Sequence, residues 1–368
     1  MKRIAIVGAG VIGLSLAHDL SALGFEVDVF DGKKSVEEGA EKASGILSKK
    51  GLELSGLEYS SAIVNTLNGA TLHFGDETLR VKSAAVQAYI LDRGILAKNC
   101  AAMAIGAGAV LKLGTRQDIA AIRRLADEYD VVVGADGATS YTASAYGFPA
   151  IGSYVLTYKA EYSGAEIKDW HSVDLLFSKK FADGFFGWVA PYSKELVELG
   201  IGIMQNRGMH SYAAFQKFLA DTYVSTLLNG ARRLAGHASI IPIENRRRTV
   251  LKNVLLVGDA AGQTKATTGG GIIFGIACAK VAAHDINAYL ANGVSLARYE
   301  KNWRKRYGID LKLHGMLHAY YSAVSEHSMQ RFIKVAKVLG AESFFSKYGD
   351  MDSPTLMLKR FFVRSKAS

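Results

Sequence analysis

Six residues near the start of the chain, Gly8-Ala9-Gly10-Val11-Ile12-Gly13, constrain its fold more than any others. They follow the apolar run Ile4-Ala5-Ile6-Val7, short enough to be a buried parallel strand. They precede Leu14 to Leu23, whose apolar spacing is helical, and Gly24 stops that helix. A second strand, Glu26 to Phe30, ends at Asp31, eighteen residues after Gly13. Each piece has a physical reason. Gly8 permits the tight turn, Gly10 lets the backbone approach a pyrophosphate, and Gly13 lets helix and strand pack closely. The helix start, Val11 and Ile12, presents free N–H groups and a partial positive charge to phosphate. Asp31 is placed to accept hydrogen bonds from a ribose hydroxyl. Strand, glycines, helix, second strand and acid together predict a dinucleotide site.

The 368 residues suffice for a large core and more than one domain, and a hydrophobic content of 49% with 21% charged residues is that of a globular protein. The two cysteines, Cys100 and Cys278, belong to no CxxC or Cys/His cluster, so a metal site or disulfide framework is not expected. They read as buried thiols in a reducing cytoplasm, with one disulfide as the alternative. The N-terminal apolar run flows straight into the glycine motif and is no signal peptide. No apolar stretch reaches membrane-spanning length. The net charge of +10 favours anionic partners, and the basic residues gather late, at Arg246 to Arg248, Lys301 to Arg306 and Lys359 to Lys366. Solvated helix faces and a surface resting on anionic lipid both account for them. No nucleic-acid-binding motif accompanies the charge. His314 and His318 stand at helical i, i+4 spacing, but without a third ligand they read as packing rather than metal.

Two further glycine stations follow buried strands: Gly134-Ala135-Asp136-Gly137, and Gly258-Asp259-Ala260-Ala261-Gly262 with Gly269-Gly270-Gly271-Ile272 beyond it. A carboxylate at such a place, Asp136 or Asp259, is suited to a ribityl hydroxyl; Asp259 is equally suited to capping the helix that follows. Between the stations the pattern changes. Ala70 to Phe74 and Thr78 to Val81 read as a hairpin, and strand-length runs between Ile151 and Met204 as an antiparallel sheet. Tyr212 to Leu228 reads as one helix, and the last seventy residues as mostly helical. The chain thus enters a nucleotide-binding domain three times, at 1–68, 82–150 and 250–295. A sheet domain is inserted at 69–81 and 151–249, and a helical region closes the chain at 296–368. That is the layout of a large flavin-binding domain.

The three stations in this order resemble the FAD-dependent reductases and hydroxylases that share the p-hydroxybenzoate hydroxylase fold. Gly258 to Ile272 is most similar to the geranylgeranyl reductase family, written GDAAGxxxPxTGGGI, and Asp183 to Pro191 is similar to its PxxYxWxFP motif. The resemblance covers about residues 1 to 295. It implies a three-layer α/β fold: an FAD-binding Rossmann-like domain, an inserted antiparallel-sheet domain for substrate, and a helical C-terminal region. It implies FAD held by Gly8, Gly10, Val11, Ile12, Gly13 and Asp31 at its ADP half. Arg93, Ser44, Gly45, Asp136, Gly137, Gly258, Asp259 and Gly269 to Ile272 would hold the flavin half. Phe186, Trp188 and Pro191 would bind substrate.

The implied activity is saturation of isoprenoid (geranylgeranyl) carbon–carbon double bonds of prenylated lipids, with electrons from an external donor such as NAD(P)H or ferredoxin. Candidates for the proton source are Ser44, Tyr154 or a bound water. The chain departs from the family at Ala266, where Pro is usual, at Asp183, Phe186 and Ala190 in the second motif, and at Ser44, where many members have Cys. A hydroxyl is a far poorer acid than a thiol, so proton delivery cannot follow the thiol pattern there. Two other readings share the stations: an FAD-dependent aromatic monooxygenase, and a non-catalytic prenyl-binding escort. The implied setting is the cytoplasm, with peripheral contact at a membrane.

Overall fold

The structure is a computed structural model and describes residues 2–205, 208–357 and 359. The chain begins β1 (Arg3–Val7), α1 (Val11–Ala22), β2 (Glu26–Phe30), β3 (Ile46–Ser48) and α2 (Lys49–Ser55). It continues β4 (Ile63–Leu67), β5 (Gly69–Phe74), β6 (Glu77–Lys82), β7 (Ala88–Leu91), α3 (Arg93–Gly106) and β8 (Val110–Lys112). After α4 (Ile119–Glu128), β9 (Val131–Gly134) and α5 (Tyr141–Tyr146) come β10 (Tyr154–Ser163), β11 (Ser172–Leu176), β12 (Gly187–Pro191) and β13 (Leu196–Met204). Two short helices, α6 (Ser211–Leu219) and α7 (Thr222–Leu227), precede β14 (Arg232–Pro242), β15 (Val250–Leu251) and β16 (Val254–Leu256). The chain closes with α8 (Ile272–Asn292), α9 (Arg298–Ala323), α10 (Glu326–Val338) and α11 (Ala341–Tyr348).

The first sheet has the order β15-β16-β9-β1-β2-β8, parallel except for the β15–β16 pair. Its central strand, β1, is apolar on both faces because α1, α3 and α8 cover one side and α4 and α5 the other. Val7 pairs with both Phe30 and Gly134, and Gly134 pairs with Leu256. The carboxyl ends of β1, β9 and β16 therefore lie level, and all three glycine stations emerge at one edge of the sheet. This edge, where the strand order reverses around β1, is where open α/β sheets bind ligands.

The second sheet has seven strands, β14-β10-β13-β12-β11-β5-β6. One face, with Leu199, Ile201 and Ile203, packs on Phe215, Phe218 and Val224 of α6 and α7. Alternation turns Glu198, Gly200, Thr157 and Lys159 to the opposite face. The expected hairpin is β5–β6. β11 joins β5 in parallel, so the sheet is mixed at that point, because the chain returns to it after its second passage through the first sheet. The helix expected over Tyr212 to Leu228 is two helices: Asp221 accepts the Tyr223 N–H and caps a new start. A third, three-stranded sheet, β3-β7-β4, joins the other two.

Candidate functional site

The first turn is built by close approach. Gly8 has φ +112°, and a Cβ there would come 2.3 Å from the Ala135 carbonyl oxygen, so the first and second stations touch. A Cβ on Gly13 would come 2.0 Å from the Gly8 oxygen. At Gly10, in contrast, nothing lies within 4 Å in that direction. α1 starts beyond Gly10 with no side-chain cap and no acid in its first turn, which leaves its N–H groups, those of Val11 and Ile12 among them, for an anion. Asp31 is fixed above them: Oδ2 accepts the Ala9 N–H at 2.7 Å and Oδ1 the Lys33 N–H at 3.0 Å.

The two later acids have different local partners. Asp136 is taken up by its own turn, accepting from Ser140 Oγ at 2.6 Å, from the Thr142 N–H at 2.8 Å and from Thr142 Oγ1 at 3.0 Å. Its neighbour Gly137, at φ +80°, faces open space. Asp259, expected at the ribityl chain with helix capping as the alternative, does not cap α8. It is half-buried, and its carboxylate accepts from Thr264 Oγ1 at 3.1 Å. Burial raises its pKa, against the pull of Thr264 and of Arg93. A Cβ on Gly271 would lie 2.5 Å from Asp259 Oδ1. The side chain of Ile12 fills the notch between the first and third stations, since a Cβ on Gly258 or Gly275 would meet its Cδ1 at 2.7 or 2.3 Å. Ile12 is thus a packing residue at that notch. Gly269, at φ +72°, and Gly270 turn the chain into α8, whose N-terminus at Gly271 and Ile272 has no side-chain cap.

Ser44, Gly45 and Arg93 converge beside this edge. Gly45 O accepts the Leu91 N–H at 2.9 Å, and a Cβ on Gly45 would strike Leu91 O at 2.3 Å. Asp92 caps α3, which places Arg93 at the first helical position. Burial lowers the Arg93 pKa, opposed by Tyr192, Cys100, Asp259 and Glu198. Ser44 Oγ and Arg93 Nε are shielded from solvent and have no hydrogen-bond partner. Buried polar atoms are rarely left so, and a bound polar ligand would satisfy both. Unpaired donors, open glycines and two uncapped helix starts along one sheet edge fit the polar spine of a dinucleotide, from phosphates to ring.

The second sheet roofs this edge with a polar cluster that sequence reading missed. Lys159 Nζ donates to Glu198 Oε2 at 2.6 Å and to Ala43 O at 3.1 Å, next to Ser44. Trp188 Nε1 donates to Glu198 Oε1 at 2.8 Å, and the Tyr192 hydroxyl to Glu198 Oε2 at 3.2 Å. Only a pairing register reveals this: a Lys and a Glu on apolar strands otherwise read as solvent-facing. Tyr154 lies elsewhere. It alternates with Leu156 and Tyr158 onto the α6 face, away from Lys159. A second missed link joins Lys265 Nζ to Asp352 Oδ1 at 2.7 Å, with Ser48 Oγ also donating to Asp352.

A partly open pocket beside α9 and α10 is lined by Phe74, Phe177, Phe185, Tyr321 and Met329, together with the polar Ser178, Lys179 and Glu326. The expected channel residues Phe186, Trp188 and Pro191 lie behind or beside this pocket rather than in its lining. Phe185 rather than Phe186 faces the cavity; Phe186 stacks behind it at 4.2 Å between ring centres. Trp188 is held over Gly200 and by Glu198. Pro191 accepts from Asn65 Nδ2 at 2.7 Å and joins two sheets. His314 and His318 have separate partners: Thr267 Oγ1 at 2.6 Å, and Gly184 O at 2.9 Å. Cys100 and Cys278 are both free and buried.

A family model described as FAD dependent oxidoreductase matches residues 3–67, the span from the first strand through Asp31 and Ser44. With the glycine stations and the sheet roof, it defines the class: the chain is an FAD-dependent oxidoreductase with an α/β flavoprotein fold. Within that class its resemblance is to the geranylgeranyl reductases. It is 29% identical over 339 residues to digeranylgeranylglycerophospholipid reductase 2 of Methanothermobacter thermautotrophicus, covering 84% of this chain and 85% of the other. A solved geranylgeranyl bacteriochlorophyll reductase-like protein from Thermoplasma acidophilum superposes with a TM-score of 0.82 at 18% identity, over 98% of this chain and 96% of that one. A flavin-dependent brominase superposes with a TM-score of 0.75 at 13% identity, covering 99% of each chain, so the fold alone serves more than one chemistry.

Proposed function

We propose that this protein is an FAD-dependent reductase that saturates isoprenoid double bonds in geranylgeranylated lipids. The likeness to digeranylgeranylglycerophospholipid reductases along the chain supports it. The observation that carries it is the pocket beside α9: Phe74, Phe177, Phe185, Tyr321 and Met329 give it an aromatic and aliphatic wall suited to a prenyl chain, with Ser178, Lys179 and Glu326 supplying the polar part of the lining.

FAD, when bound, supplies the hydride. The chain's own residues bind and orient. The Gly8–Gly13 turn with Val11 N–H and Ile12 N–H holds the pyrophosphate, and Asp31 the adenosine ribose. Arg93 and Ser44-Gly45 close on the flavin half, with Asp259 toward the ribityl chain. The N-terminus of α8 from Gly269 to Ile272 stabilises negative charge at the ring edge. Asp136 shapes the turn that presents Gly137. An isolated alkene has no carbonyl to absorb charge, so orientation and a proton source must both come from the site. Ser44 is the candidate proton donor with an uncommitted hydroxyl at that place. The electron donor is external, NAD(P)H or ferredoxin.

The test is direct. The purified protein should show a flavin spectrum, bleach with dithionite, and add two hydrogens in mass for each double bond of a geranylgeranylated lipid. Rapid NADPH oxidation with oxygen insertion into an aromatic ring would instead establish a monooxygenase. A colourless protein that binds prenyl chains would establish an escort.

A further inference from the structure

The last long helices leave an apolar face open to water. On α9, Ile309, Met316 and Tyr320 recur at spacings of seven and four, which sets them in one stripe; with Leu317 they are 49% to 65% exposed. On α10, Phe332, Val335 and Leu339 form a second stripe; with Val338 they are 54% to 84% exposed. The rings of Tyr320 and Phe332 meet edge to face with centres 6.5 Å apart, so the two stripes make one surface. The other side of α10 is already engaged, with Ile333 and Met329 packed on Phe74 and Leu79. Contiguous apolar surface of this kind marks an interaction site.

Its rim is basic. α9 and α10 together carry nine Lys and Arg against three acids. All three acids are turned to internal duties. Glu300 accepts the Thr249 N–H, Asp310 accepts from Thr355 at 2.8 Å, and Glu326 accepts from Ser178 Oγ at 2.9 Å. Lys305 and Lys312 flank the first stripe, Arg331 and Lys334 the second, and all four are exposed. Among the described residues no helix is long and apolar enough to cross a membrane. The face also runs into the cavity. Tyr321, Val324, Glu326 and Met329, at the α9–α10 turn, form part of its wall.

We propose that the α9–α10 face docks on an anionic bilayer and that prenyl chains pass from the bilayer into the cavity beside Tyr321. The apolar stripes enter the acyl boundary while the lysines and arginines pair with anionic headgroups. A second copy of the chain fits less well, since it would set two positive rims against each other. The proposal rests on the lipid reading of the site.

The test uses the full-length, FAD-loaded protein and vesicles of one part phosphatidylglycerol to two parts phosphatidylcholine. Flotation should show binding that falls with salt and vanishes on pure phosphatidylcholine. Val338→Glu with Leu339→Glu should weaken vesicle binding by about tenfold or more, and so should Lys312→Glu with Lys334→Glu. Turnover of a short prenyl substrate dispersed in detergent should be unchanged in both. Wild-type protein that ignores anionic vesicles, variants that bind as well as wild type, or a wild-type dimer that either variant dissolves would overturn the proposal. Vesicle binding as described, with no reduction of any prenyl substrate, would overturn the proposed reaction and leave the docking face standing.

Discussion

Lys159 Nζ lies 2.6 Å from Glu198 Oε2 on the face of the second sheet that roofs the glycine edge, and both side chains are almost wholly withdrawn from water. Such a pair stabilises little by itself, but losing one partner strands a buried charge. Glu198→Gln or Lys159→Met is expected to cost about 3–5 kcal/mol. The double substitution Lys159→Met with Glu198→Leu should cost much less than the sum. Chemical denaturation of the four proteins checks this. Additive losses would mean that the two charges act independently.

Ile12 occupies the space that a methyl on Gly275 would need. Gly275→Ala should therefore overpack the notch, at roughly 1–3 kcal/mol, and loosen flavin retention. Ile12→Ala in the same chain should restore much of both, although alone it leaves a gap. A cycle of these variants, read by thermal unfolding and by flavin retained on gel filtration, should show strong coupling. No coupling would place Ile12 away from the notch.

Asp31 reaches both the turn and, on the proposed binding mode, the ribose. Asp31→Ala should weaken FAD binding by about 10- to 100-fold, the value of one or two hydrogen bonds to a charged acceptor. Titration of the apoprotein with FAD, followed by flavin fluorescence quenching, measures it. Unchanged affinity would remove Asp31 from the site.

His314 gives the fold an acid sensitivity. Burial, with Lys265 nearby, lowers its pKa to about 4, so the folded protein holds it neutral. The unfolded chain takes up a proton near pH 6.5. Stability from this residue is full above pH 6.5 and is lost as pH falls from there toward 4, by roughly 3 kcal/mol in all. His314→Gln should flatten that limb of a melting-temperature profile. An unchanged slope would assign the acid sensitivity to other groups.

Much of the first sheet was legible because its signals are local. A strand, a glycine turn and an uncapped helix lie within a few residues of one another at Gly8, and a strand runs straight into a glycine turn at Gly258. The division of labour between Asp136 and Asp259 was not legible, because it depends on Ser140 and Thr142 bending back to one acid and on Thr264 meeting the other. The Lys159–Glu198 pair was hidden for a related reason. The two residues are distant in sequence and meet only through the β10–β13 register. The break between α6 and α7 rested on a single capping acid, Asp221, inside a run whose apolar spacing is otherwise continuous. Phe185 and Phe186 are adjacent aromatics, and only the approach of α9 decides which of them faces the cavity.

The pairing of β16 with β9 carries a consequence for biosynthesis. A nascent chain cannot complete the cofactor's cradle until the segment ending at Leu256 has cleared the ribosome, since Gly258 and the start of α8 follow it. The early strands must wait with an unfilled edge, a condition that invites chaperone attention and misassembly. Flavin capture is therefore a late event in the life of each molecule, closer to a final seal than to a seed for folding.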